Sequence, residues 1–244
     1  MKLNPIFRRD EIISARSLTL PLMVTMLNGG LTILILINLF YIVSTAELTG
    51  EIAYQSFLRT YYIAALLEIL LVIMSAPALA ASSVTSERDP RNLGLLLTTQ
   101  LSPFDIIIGK LMGVLSTLFL LVLSSLPILA TVYIYGGVMM IDIVLYLLTA
   151  FVCAILSSSI GILSSVSIYI TAAATLVSYG GIALSLGAAI AFIRFHGRVG
   201  LSGIQSYMIA LLLLLLISSL LLYISMRRIA PRPVRRGGAA GADR

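Results

Sequence analysis

IVLYLLTAFVCAILSSSIGILSSVSIYITAAATLVSYGGIALSLGAAIAFI, running from Ile143 to Ile193, is 51 residues long and holds no charged side chain. As one straight helix it would measure about 76 Å at roughly 1.5 Å per residue. The hydrocarbon core of a bilayer is only ~30 Å thick, so the stretch must fold back once. The polar patch from Ser157 to Ser167, where Ser157, Ser158, Ser159, Ser164 and Ser165 crowd together, is where the turn is expected.

Outward from this stretch the pattern repeats. Uncharged runs cover Ser17 to Ala46, Leu111 to Ile141 and Val199 to Met226, of 30, 31 and 28 residues. Thr60 to Ser86 is broken only by Glu68. Since about 20 apolar residues suffice for one crossing, the chain is expected to be an all-α integral membrane protein of six transmembrane helices. These are placed near Leu18 to Ser44, Thr60 to Ser83, Ile106 to Tyr133, Ile141 to Leu163, Ile168 to Ile193 and Gly203 to Met226. Composition agrees: of 244 residues 59% are apolar and 11% charged, with a mean hydropathy of +1.08. A soluble domain carries about 25% charge.

The lysines and arginines set the expected orientation, because positive loops stay cytoplasmic. With the N-terminus inside, 13 fall on the inner side: Lys2, Arg8, Arg9, Arg16, Arg88, Arg91, Lys110, Arg227, Arg228, Arg232, Arg235, Arg236 and Arg244. Only three, Arg59, Arg194 and Arg198, fall outside. Both termini are therefore expected in the cytoplasm. Tyr41, Tyr54, Tyr61, Tyr62, Tyr133, Tyr135 and Tyr207 land near the outer boundary, the headgroup level that amphipathic rings favour. The net charge of +6 belongs to these flanks, so lipid headgroups and not nucleic acid are the expected polyanion. The first span exceeds the ~7–15 apolar residues of a signal peptide and reads as a retained helix.

The residues present exclude much chemistry. A lone cysteine, Cys153, forms no internal disulfide and no thiolate metal site, and a lone histidine, His196, forms no histidine cluster. Intramembrane proteolysis needs a base beside its nucleophile, and His196 lies in an outer turn, so no catalytic residue and no metal site are expected. Gly109-Lys110 is followed by Leu111, and Phe104 stands where a P-loop needs its first glycine. The chain has no nucleotide site of that kind, and any ATP-driven process would need a separate motor.

Three segments lie outside or between the spans. Residues 1–17 open with Asn4-Pro5, a cap followed by a proline at the first helical position. Leu3, Ile6, Phe7 and Ile13 then share one side and Arg8, Arg9 and Arg16 another, as in a helix lying in the headgroup plane. A solvated charged leader is the other reading. Residues 18–226 form the transmembrane domain, and residues 227–244 a basic tail. Within the domain, the loop SERDPRNLGLLLTTQLSPFDIIIGK joins the second and third spans, with Leu93, Leu95, Leu96, Leu97 and Leu101 at its centre. Ser102-Pro103 starts a helix, and Asp105 sits in its first turn, where the helix dipole favours an acid. A short apolar helix with nothing of its own to pack on points to a partner protein. Folding back against its own helix ends is the alternative.

Residues 87–110, with their charged start, leucine run, TTQLSP and closing Gly109-Lys110, resemble the segment after the second helix of ABC-2 type permeases, the membrane subunits of one class of ABC exporters. The leader NPIFRRDE is similar to their N-terminal interfacial helix, including Phe7, Arg8, Arg9 and Glu11. One departure is visible: Arg91-Asn92-Leu93-Gly94 stands where the family often has Gly-Thr-Leu-Glu, so no role of that glutamate carries over. The resemblance implies a half-transporter that pairs with a second copy of itself or a related permease. A separate ATPase would hold ATP and magnesium, with no cofactor on this chain, and export would proceed by alternating access. Glu87, Arg88, Asp89, Arg91, Leu95, Leu96, Gln100 and Leu101 would form the ATPase interface. The chain is also similar in its overall look to permeases that expel amphipathic toxin peptides such as phenol-soluble modulins. Drug, bacteriocin or ion efflux is the other cargo reading, and a non-ABC channel or secondary transporter using Glu68 the other class. The implied location is a bacterial cytoplasmic membrane.

Polar groups inside the spans are few. Glu68 costs at least ~2.5–3.5 kcal/mol if charged mid-membrane, so it should face a cavity or a partner. It could line a pathway with Asn28 and Asn38, hydrogen-bond to one of these asparagines, or lie near the outer interface. Pro77 and Pro127 each remove a helix hydrogen bond. Gly109, Gly113, Gly180, Gly181, Ala183 and Gly187 offer small faces for close helix packing, with the fifth helix as a subunit-interface candidate. Arg194, His196 and Arg198 form a basic turn that snorkels to headgroups or grips an anionic group.

Overall fold

A computed structural model describes residues 18–49, 54–85, 103–134, 138–168, 170–195 and 203–229. The leader with Phe7, Arg8, Arg9 and Glu11 lies outside the described residues. So does the loop with Glu87, Arg88, Asp89, Arg91, Leu95, Leu96, Gln100 and Leu101. Six helices run through the rest: α1 (Thr19–Thr49), α2 (Tyr54–Thr85), α3 (Pro103–Ile134), α4 (Met140–Ser167), α5 (Thr171–Phe195) and α6 (Gly203–Ile229). Each is long and apolar enough to cross a membrane, and the described residues contain no strand. Their lengths are 31, 32, 32, 28, 25 and 27 residues.

α4 is the hub, packing on α2 most extensively and also on α3, α5 and α6, while α1 lies at the periphery against α2 and α3. The reason is side-chain size. α2 buries Ala64, Ala76, Ala80 and Ala81, and α4 buries Ser157, Ser158, Ser159 and Ser165, all fully. Gly161 of α4 brings the two backbones closest: a Cβ there would sit 2.9 Å from Pro77 Cα and 2.9 Å from Ala80 Cβ. Small residues permit this approach, which dispersion then rewards. Val152 and Leu156 of α4 meet Leu211 and Leu214 of α6 in a second apolar cluster.

The fold-back of the long uncharged stretch is real, but the serines do not make it. Ser157 to Ser165 are helical, and α4 continues to Ser167. A serine inside a helix turns its hydroxyl back to a carbonyl, as Ser158 does to Ala154 O (2.7 Å) and Ser159 to Ile155 O (2.6 Å). Their small volume then suits them to the crowded centre. The chain leaves the helix at Ile168, whose backbone is extended at φ −119° and ψ 130°, and α5 starts at Thr171. At the other ends, α2 begins six residues before Thr60, and α6 carries Arg227 and Arg228 in its last turn.

Most of the packed helix pairs are tied by a polar contact. Asn28 Nδ2 donates to Ser124 Oγ and Asn38 Nδ2 to Ser56 Oγ, both at 3.1 Å, fastening α1 to α3 and α2. Ser165 donates to Ala81 O at 3.2 Å, and Tyr179 of α5 donates to Met74 O at 2.7 Å. These two bonds grip α2 on either side of Pro77. Ser164 pairs with Ser178 at 2.5 Å, Thr149 pairs with Tyr207, and Arg228 donates to Ser167 at 2.5 Å. Such bonds average about 0.6 kcal/mol in membranes, so packing holds the bundle and the bonds set its register.

Candidate functional site

Glu68 lies 13 residues from each end of its apolar span, Gln55–Ala81, halfway along it. It is fully buried. Its Oε1 is 2.5 Å from Ser125 Oγ on α3, while Oε2 has no hydrogen-bond partner. Neither asparagine is its partner. Asn28 instead reaches α3 at Ser124, the residue next to Ser125, and Asn38 bonds Ser56. The three residues read together from the sequence are therefore distributed: Glu68 inside the α2–α3–α4 core, Asn28 and Asn38 as ties for α1.

Ser125 Oγ also lies 2.8 Å from Val122 O. A serine hydroxyl has one hydrogen and cannot serve both oxygens fully. A neutral carboxyl donating to Ser125, which donates in turn to Val122, gives each contact its own hydrogen. Glu68→Gln keeps such a donor and is expected to melt close to the parent protein in detergent. Glu68→Ala leaves a cavity and is expected to cost about 2 kcal/mol. Equal loss in both variants, read by size-exclusion thermal melts, would show instead that the charge holds the core together.

Two turns above Glu68 on the same face of α2 stands Tyr61, only 1% exposed, and across from it on α4 stands Tyr146, 5% exposed. Both hydroxyls are buried without a hydrogen-bond partner. Tyr146 lies beside the Glu68 carboxyl without closing a well-formed bond to it. The rings of Tyr61 and Tyr62 meet at 68° with centroids 5.6 Å apart, and those of Tyr61 and Tyr146 at 74° and 6.5 Å. Sequence reading placed Tyr61, Tyr62 and Tyr207 at the membrane boundary and passed over Tyr146 and Ser125. The spacing of seven between Tyr61 and Glu68, one helix face, was the available signal.

These rings line a cleft of about 480 Å³ between α2, α4 and α6, near their N-terminal ends. Asp142, Thr149 and Tyr207 supply its other polar groups, and Ala65, Leu66, Ile69, Leu145 and Ile204 its apolar ones. Asp142 is held by the start of α4, its Oδ2 accepting the Met139 backbone N–H at 3.1 Å. A second groove of about 340 Å³ between α3 and α4 is lined by apolar side chains alone, among them Phe119, Val144 and Phe151. It offers nothing to orient a ligand.

The remaining candidates are placed simply. Arg194 is exposed in the last turn of α5, and His196 and Arg198 lie outside the described residues. Lys110, read as a cytoplasmic loop charge, is buried inside α3. Cys153 is free and buried in α4. Among the described residues no group of histidine, cysteine, aspartate and glutamate is arranged to hold a metal ion. Compared with known proteins, the chain matches no protein-family model and no curated protein.

Proposed function

We propose that this chain is the membrane-spanning permease subunit of an ATP-driven exporter of the ABC-2 type, working as a pair of permeases with a separate ATPase on each. The observation that carries this reading is the segment 87–110, whose sequence resembles the ATPase-coupling segment of that class. In the chain it follows the end of α2 at Thr85 and runs into the first turns of α3, which starts at Pro103. Those two helices are joined deep in the bundle by Glu68 and Ser125, so a push on the loop reaches the core through both. The leader is an interfacial helix, both termini are cytoplasmic, and the membrane is the bacterial cytoplasmic one. The cargo is hydrophobic or amphipathic, with an amphipathic peptide favoured by the apolar interior. A channel or secondary transporter built on Glu68 is less suited, since the carboxyl is sealed in the core of the chain.

The test is purification of the tagged chain from its native membrane in mild detergent. An ATPase subunit is expected to elute with it in near-equal amount and to hydrolyse ATP after reconstitution. A folded chain that elutes without any ATPase would remove the proposal. Orientation is checked in a Cys153→Ala background: cysteines at Gly50 and Gly200 are expected to label from outside, and one at Asn92 only after permeabilisation. External labelling at Asn92 would reverse the topology.

A further inference from the structure

We infer that the cleft between α2, α4 and α6 is a binding site for an alkylammonium group, supplied by a lipid headgroup or by a free cationic amphiphile. The proposal goes beyond the permease reading and holds whether or not the chain works with an ATPase.

Three observations converge on this ligand. Tyr61, Tyr62 and Tyr146 all line the cleft, and the ring of Tyr61 meets those of Tyr62 and Tyr146 edge to face, at 68° and 74°, and does not stack on them. The face of a phenol ring is electron-rich, and several faces turned at right angles are how proteins surround alkylated ammonium ions. The lining also carries the carboxylate of Asp142 and, among the described residues, no lysine or arginine. Its position is fixed in advance by the Met139 N–H, so little order is lost on binding. Finally, Tyr61 and Tyr146 line the cleft, and their hydroxyls, buried behind its wall, have no hydrogen-bond partner. Buried polar atoms are rarely left so, and a positive charge in the cleft is favoured by the lone pairs of these oxygens without any N–H bond to them.

The apolar side of the cleft, with Leu66, Ile69 and Ile204, accepts the chain attached to such a head. Leu66 and Ile204 are exposed on the bundle surface, so an acyl or alkyl tail can run from the cleft directly into lipid. The Glu68 carboxyl lies deeper on the same helix face and adds acceptor character behind Tyr146.

The test uses radiolabelled dodecyltrimethylammonium and the full chain in dodecyl maltoside, without any ATPase. Saturable binding near one per chain is expected, displaced by unlabelled cation but not by its uncharged tert-butyl isostere. Asp142 stands at the third helical position, and Asp142→Asn keeps an oxygen there to accept the Met139 N–H and so keeps the fold. It is expected to weaken binding at least ~10-fold, and Tyr62→Leu at least ~5-fold. Phe119→Leu in the α3–α4 groove is expected to change nothing. Phosphatidylethanolamine added to the micelles displaces the label if headgroups use the site, and its failure to do so assigns the site to free amphiphiles. Equal displacement by the isostere, unchanged affinity in Asp142→Asn, or no saturable component would overturn the site. Loss of ATPase co-purification with binding intact would sink the permease reading alone.

Discussion

Gly161→Leu is expected to prevent assembly of the bundle, with the variant running as aggregate on size-exclusion chromatography and giving no cooperative melt. The cause is local. A Cβ at this position already meets Pro77 Cα and Ala80 Cβ at 2.9 Å and Pro77 O at 3.3 Å. Two of these three atoms belong to backbone and cannot rotate aside. Overpacking a well-filled core typically costs ~1–3 kcal/mol for one or two extra carbons, so Gly161→Ala should lower the melting temperature while leaving a folded protein. Leucine adds three more carbons to the same seam and must part α2 from α4. That separation also breaks the Ser165 to Ala81 bond and uncovers the fully buried Ala76, Ala80 and Ser157. Gly187→Leu is the control, because a Cβ there meets nothing within 4 Å. If Gly161→Leu elutes and melts like the parent, the α2–α4 approach described above is wrong.

Leu96→Asp is expected to release the ATPase. This follows from the proposed coupling role of the loop between α2 and α3, whose leucines have no polar function of their own. An aspartate there would be desolvated without a partner at the subunit contact, at a cost of about 3 kcal/mol or more. That is over a hundred-fold in affinity. Charges at the edge of the same loop, Arg88 and Asp89, should matter far less, since exposed pairs contribute ~0–1 kcal/mol. Co-purification and substrate-dependent ATP turnover in liposomes, compared across Leu96→Asp and Arg88→Ala, read both effects. Retention of partner and coupled turnover by Leu96→Asp would take away the main support for the ABC-2 proposal.

The six crossings were legible because charge is what a bilayer core excludes, and the uncharged runs mark its thickness directly. The 51-residue stretch forced a fold-back for the same reason. Where it turns was not legible from polarity. Ser158, Ser159 and Ser164 return their hydroxyls to preceding carbonyls of their own helix, so most of the cluster reads as polar in sequence and behaves as small in the folded chain. Glu68 stood out because nothing else like it lies inside a span. Its partner did not, since Ser125 meets it only through the rotation of α3 against α2, which no spacing within one helix encodes. Tyr146 and Asp142 were hidden for a related reason, as they join Tyr61 and Tyr62 only once α4 is seated on α2.

The helices differ in length in a way that the surrounding lipid must feel. The apolar spans of α1 and α3 have 29 and 31 residues, those of α5 and α6 have 25 and 26, a difference of about 7 Å at ~1.5 Å per residue. α1 and α3 pack together, and α5 and α6 both lie on α4. One flank of the molecule therefore asks for a thicker bilayer than the other. Mismatch of this kind costs fractions of a kcal/mol per Å and is relieved by tilt or by stretching and thinning the membrane. An isolated chain thus sits in an elastic gradient, with longer, more ordered lipids drawn to the α1–α3 side and shorter ones to the α5–α6 side. Burying either flank against another protein would relax that strain without a single new hydrogen bond.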